Sequence, residues 1–231
     1  MIYAMLGPLV NALAIVVAAL IGLGLRKVLH QAFLDNVMQV LGIIVAVIGI
    51  KGIAVDMTLI VVIISLVLGL WIGEFLNLEQ RLHMLIERKV KPKNKSTFTQ
   101  GFVSASLVFV VGAMAIIGSL ESGINHNHVI VFTKATLDFT AAVVMSATLG
   151  IGVLFSALVV LLYQGALTLL ASSIAPYLNP TAITIISSTG SVLVVMIGLN
   201  MLRFTSFKVV NHVLSLVIAL FIAQIMHIVG L

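Results

Sequence analysis

Of 231 residues, 61% are apolar and 8% are charged, and the mean hydropathy is +1.29, whereas a soluble domain carries roughly 45–50% apolar and about 25% charged residues. This composition excludes a soluble fold and leaves a helical membrane protein, since polar low-complexity tracts and a glycine period are missing. With no cysteine, disulfide scaffolds, thiol catalysis and thiolate-bound metals are excluded as well.

Taken in chain order, apolar runs bounded by polar residues predict spans of about 20 residues at Ile2–Leu25, Leu34–Ile53, Met57–Leu76 and Gly101–Leu120. The run Val129–Ala171 is about twice a bilayer length and holds Gly150-Ile-Gly152 in its middle, which predicts two helices meeting at that break. Thr181–Met201, entered through Pro180, and Val209–Val229 complete an all-α, polytopic bundle of about eight transmembrane helices, with seven as the alternative. Met1–Ala4 carries no basic region and the first run ends in Arg26 and Lys27, so the first helix is expected to be retained rather than cleaved as a signal.

Arg81, Arg88, Lys89, Lys91, Lys93 and Lys95 are half of the twelve basic residues, and the positive-inside rule places their connection in the cytoplasm. Eight crossings put Arg26, Lys27, Arg203 and Lys208 on the same side and both termini outside, whereas seven would move Arg203 and Lys208 outside. The net charge of +5 then reads as topology and contact with anionic lipid at the cytoplasmic face, not as nucleic-acid binding. Within this connection Leu78, Leu82, Leu85 and Ile86 form one helical stripe, which fits an interfacial helix or a plain extension of the third span, ended by Pro92. The chain thus divides into 1–77 (three spans), 78–100 (basic connection), 101–149 (two central spans) and 150–231 (three spans).

The segment Leu66–Leu76 matches Leu216–Met226 position by position at an offset of 150 residues. Gly7–Leu13 matches Gly152–Leu158 at an offset of 145, and Val47-Ile-Gly49 matches Met196-Ile-Gly198 at 149. Helices one to three would then correspond to helices six to eight, and with eight crossings the repeats are inverted, as in many secondary transporters. Gly69/Gly73 and Ala219/Ala223 have small-xxx-small spacing, which supports close helix packing in a bundle or homo-oligomer.

Ionisable groups at membrane depth cost roughly 2.5–3.5 kcal/mol each on insertion scales, so each asks for a reason. Lys134 and Asp138 stand four apart on one helix face and are expected either to line a polar cavity or to form a structural ion pair. Asn11 with its repeat partner Ser156, then Gln39, Gln164, Asn200 and Asn211, put hydrogen-bonding groups on apolar helices, as pathway groups or as interhelical glue. Glu74 and Gln224 are repeat equivalents suited to a gate or a cap, and His126 with His128 is too small a set for a metal site. HExxH, GxSxG and GxxxxGK[ST] are absent, so neither an enzyme nor a cofactor is expected.

Several of these stretches carry a family resemblance: Leu9-Val-Asn11-Ala-Leu-Ala-Ile15, Gly101-Phe-Val-Ser-Ala-Ser-Leu107 with Gly112 and Gly118, Lys134 with Leu137-Asp138, Thr148-Leu-Gly150-Ile-Gly-Val153, Ser156, Tyr163-Gln164-Gly165 and Ile197-Gly-Leu-Asn200. Over nearly its whole length the chain resembles the DUF554 (YdfK/YqgA-like) family of bacterial integral membrane proteins of unknown function. The resemblance implies a multi-pass protein of the bacterial inner membrane, brings no substrate or cofactor, and places Asn11, Lys134, Asp138, Gln164 and Asn200 at family motif positions; Phe139 departs from the small residue expected there. The resulting expectation is a transporter or channel for a small polar or ionic solute with Asn11, Lys134, Asp138, Ser156, Gln164 and Asn200 near the pathway. The alternative is a non-transporting structural or regulatory membrane protein that holds a partner or anionic lipid through its basic loop.

Overall fold

The structure, a computed structural model, describes residues 3–54, 58–89 and 95–229. No strand occurs among them, and the apolar runs fold as helices: α1 (Leu6–Val28), α2 (Gln31–Lys51), α3 (Thr58–Phe75), α4 (Leu78–Lys89), α5 (Lys95–Val110), α6 (Ala113–Ile124), α7 (Val129–Leu149), α8 (Gly152–Leu169), the short α9 (Ala171–Ile174), α10 (Pro180–Met201) and α11 (Leu214–Val229). Short 3-10 helices at Ala175–Tyr177 and Val209–His212 precede α10 and α11. Among the described residues six helices are long and apolar enough to span a bilayer, and α5 with α6 makes a seventh when taken as one bent span. The apolar Leu59–Phe75 stretch of α3 is shorter. Large apolar side chains such as Ile43, Ile63, Trp71 and Phe221 face outward, which a bilayer, unlike water, accommodates without cost.

Local chemistry sets the helix ends. At Gly150 the backbone takes φ 81°, a region that suits glycine, and α7 stops there before α8 begins at Gly152. Asn179 caps α10 by accepting from the Ala182 N–H at 2.8 Å, with Pro180 at the first helical position, where no amide proton is needed. The expected single span Gly101–Leu120 is corrected: it is broken at Gly112, where φ is 116°, and its halves bend by 62°. A uniformly apolar run hides such a break, because hydropathy reports burial and not backbone angle.

The helices group into two compact units, one of residues 1–41 and 93–176 and the other of residues 42–92 and 177–231. Each unit draws on both halves of the chain.

In the first unit α1 and α7 run parallel in close contact. A side chain at Gly22 would strike the Val143 carbonyl and Ser146, and Ser146 donates its hydroxyl to the Ala19 carbonyl at 2.8 Å. The α8 helix runs antiparallel to α1, with Met5 against Gly165, Asn11 against Gln164 and Arg26 against Gly150. That register centres near the fully buried Ile15 and Val160, which are partners at the offset of 145. The bent α5–α6 pair follows α8, with Gly152 packed on Phe102 and Thr168 donating to the Ser119 carbonyl at 3.1 Å.

The second unit has two further antiparallel pairs. In one, Gly42 and Ala46 of α2 pack on Gly198 of α10, and Gly49 packs on Ser191 and Val195. In the other, Gly69 and Gly73 of α3 pack on Ser215 and Asn211, while Val61 shares a core with Ala219 and Ala223. The registers centre near 47 and 196, and near 67 and 217, again partners at the sequence offsets of 149 and 150.

Candidate functional site

Three helices of the first unit bring polar side chains together inside an otherwise apolar interface. Asp138 is the tenth residue of α7, about 14 Å along a helix about 31 Å long, and so sits near its middle. One helical turn earlier on the same face, Lys134 donates to Asp138 Oδ2 at 2.5 Å. Both are buried, with 5% and 6% of their surface exposed. Each charge has the other as its partner, which offsets the desolvation that an isolated buried ion would suffer.

The pair is tied to the neighbouring helices through Asn11. Its Nδ2 donates to Asp138 Oδ2 at 3.0 Å and to Gln164 Oε1 at 3.2 Å, so α1, α7 and α8 share one network. Asn11 and Gln164 are fully buried. A carboxylate only accepts, so Asn11 must turn its NH2 group towards Asp138, and Gln164 must in turn present its oxygen to Asn11. These orientations leave Asn11 Oδ1 and Gln164 Nε2 buried with no hydrogen-bond partner among the described residues. The arrangement therefore holds an internally neutralised ion pair beside one uncommitted acceptor and one uncommitted donor.

A family model described as "Protein of unknown function (DUF554)" matches residues 6–224. The chain belongs to this family. It is 29% identical over 231 residues to the uncharacterized membrane protein YdfK of Bacillus subtilis (strain 168), covering 98% of this chain and 99% of that protein. It is 26% identical over 223 residues to the uncharacterized protein YqgA of Escherichia coli (strain K12), covering 93% and 94%. No solved structure gives a significant match.

Two of the expected pathway residues of this DUF554 protein make their hydrogen bonds elsewhere than with the network. Ser156 is fully buried, but its hydroxyl donates to the Val153 carbonyl at 2.6 Å within α8. Because α1 and α8 are antiparallel, the repeat partner of Asn11 falls towards the opposite end of the contact, and Gln164 takes the place beside Asn11. Asn200 fastens a turn: its Nδ2 donates to the Phe207 carbonyl at 2.9 Å, while its Oδ1 accepts from Thr205 at 2.8 Å and the Phe207 N–H at 2.9 Å. Both ends of the Asn200 amide are thus engaged within its own turn.

Glu74 is exposed near the end of α3, and Gln224 donates to the Tyr177 carbonyl, which ties α11 to the 3-10 turn. Arg81 is exposed on α4. Lys91, Pro92 and Lys93 lie outside the described residues, as do the side chains of Arg88, Lys89 and Lys95.

Sequence reasoning missed two further buried polar positions of the first unit. Ser146 lies on the α1-facing stripe of α7 formed by Val131, Lys134, Asp138, Ala142 and Met145, a spacing of three to four that was available as a signal. His128, read only as half of a weak metal pair, instead sets Nδ1 against Ser122 Oγ at 3.1 Å, and its buried Nε2 has no partner among the described residues.

Proposed function

We propose that this DUF554 protein is a transporter or channel for a small polar solute that passes at the Asn11–Lys134–Asp138–Gln164 network. The observation that carries the reading is the burial of four polar side chains, two of them charged, on three helices near the middle of α7. Helix packing alone needs no ions there, and small residues already supply the close α1–α7 contact. Further support comes from the three antiparallel pairs whose registers centre on partners at the repeat offsets. An inverted repeat would give such registers, and in proteins built that way a solute site lies near the bilayer midplane.

In this reading the basic 81–95 segment lies in the cytoplasm against anionic lipid, and both termini lie outside the bacterial inner membrane. The test is flux of a panel of small solutes into proteoliposomes bearing wild-type protein, Asp138→Asn, and the charge-neutral double variant Lys134→Gln/Asp138→Asn. Wild-type flux lost in both variants supports the reading. Unchanged flux in well-folded variants removes the network from the pathway, and a wild type indistinguishable from empty vesicles for every solute defeats the transport reading.

A further inference from the structure

Resting on that transport reading, we infer that the solute carries no net charge and is a small hydroxyl- or amide-bearing molecule that offers both a donor and an acceptor, seated between Asn11 Oδ1 and Gln164 Nε2. Charge comes first. Lys134 and Asp138 already neutralise each other at 2.5 Å, so an ion bound here would bring an uncompensated charge into a buried site.

The uncommitted atoms then select the ligand's polarity. A metal cation would find the Asn11 oxygen but meet the Gln164 NH2 group, which repels it. An anion would find that NH2 group but meet the Asn11 oxygen and the Asp138 carboxylate. Rotating either amide cannot recast the site for an ion, because Asp138 holds the Asn11 nitrogen and Asn11 holds the Gln164 oxygen. Only a ligand that donates to Asn11 and accepts from Gln164 satisfies both atoms, and an unsatisfied buried polar atom is costly enough to make that a strong preference. The two amides are joined by a 3.2 Å hydrogen bond, so the two uncommitted atoms belong to adjoining side chains. Selectivity of this kind rests on leaving the site's own polar groups unpaired when the wrong ligand enters.

The full-length chain provides two independent readouts with the same probes: glycerol, urea, potassium chloride and sodium formate at equal osmolarity. In proteoliposomes, light scattering follows entry of each probe and a potential-sensitive dye follows charge movement. In detergent, the unfolding midpoint follows binding. The expected result is that glycerol or urea enters wild-type vesicles at least about fivefold faster than vesicles with Gln164→Leu, the equivalent of one lost hydrogen bond, with no dye response.

Gln164→Met removes the same donor with an unbranched side chain of similar length, and should lose entry to a similar extent if the leucine variant folds poorly. If glycerol or urea raises the wild-type midpoint but not that of Gln164→Met, and neither enters vesicles, the neutral seat stands and transport fails. Potassium or formate entry with a dye response that depends on Gln164 overturns the neutral seat and keeps transport. No binding and no entry of glycerol or urea overturns the inference, leaving a seat for water only.

Discussion

Asn11 on α1 and Asp138 on α7, separated by 127 residues in sequence, meet through a single 3.0 Å hydrogen bond from the amide to the carboxylate. Among the described residues it is the side-chain bond that reaches the ion pair from a helix other than its own. Replacing Asn11 with Leu removes a donor from a buried carboxylate and leaves Gln164 Oε1 without its partner too. A hydrogen bond to a charged group contributes about 1.5–3 kcal/mol, so the variant should unfold more readily by about that amount in detergent. Asn11→Asp sets a second carboxylate 3.0 Å from the first and should be worse than Asn11→Leu. Equal stability of Asn11→Leu and wild type would show that the bond contributes nothing.

Breaking the ion pair should cost more than removing it. Lys134→Met leaves Asp138 charged and buried with only Asn11 for support, for which about 3–5 kcal/mol is the usual penalty. The double variant Lys134→Met/Asp138→Leu restores charge balance with apolar groups and should recover much of that loss. A double-mutant cycle read by chemical unfolding measures the coupling. If the two single losses simply add in the double variant, the residues are not energetically paired and the network has no ionic core.

The helices were legible because an apolar run of bilayer length admits little except a helix, and the α7–α8 break was legible because Gly150 and Gly152 interrupt a run too long for one span. Lys134 and Asp138 announced themselves as charges at helical spacing, and Asn11 and Gln164 as polar groups among aliphatics. What the pattern did not show was that the four meet, because the contact depends on α1 lying along α7, which Gly22 permits by closeness to Val143 and Ser146 far along the chain. The φ of 116° at Gly112 was equally hidden, since hydropathy is blind to it. Asn200 looked like Asn11 in sequence, yet it sits one residue from the end of α10, where the nearest unpaired backbone groups belong to its own turn.

Glycines divide sharply by what stands opposite them, and two substitutions of the same chemistry should move stability in opposite directions. A Cβ on Gly49 would lie 2.7 Å from the Ser191 carbonyl oxygen and 2.7 Å from the Val195 nitrogen, both backbone atoms that cannot turn aside. Gly49→Ala should therefore push α2 from α10 and cost roughly 1–3 kcal/mol. Gly24 in α1 has nothing within 4 Å of a Cβ, so Gly24→Ala should gain about 0.5–1 kcal/mol from helix propensity alone. Unfolding midpoints of the two variants against wild type decide it, and a tolerated Gly49→Ala would contradict the α2–α10 contact.

Because the chain contains no cysteine, single cysteines report the side of the membrane directly. Asn125, Ser172 and Ser206 are exposed and lie in three different connections. Within the first unit, Ser119 accepts from Thr168, and Gly123 packs on Ala171, so the ends of α6 and α8 lie together. Cysteines at 125 and 172 must then label alike with an impermeant thiol reagent on intact cells, whatever the orientation. The cytoplasmic placement of the basic 81–95 segment adds that both label from outside and Ser206→Cys does not, since one further crossing, α10, lies between 172 and 206. Labelling at 125 without 172 would contradict the return of the chain at Gly150. Labelling at 206 without 125 and 172 would reverse the whole protein, placing the basic segment outside and removing anionic lipid of the cytoplasmic leaflet as its partner.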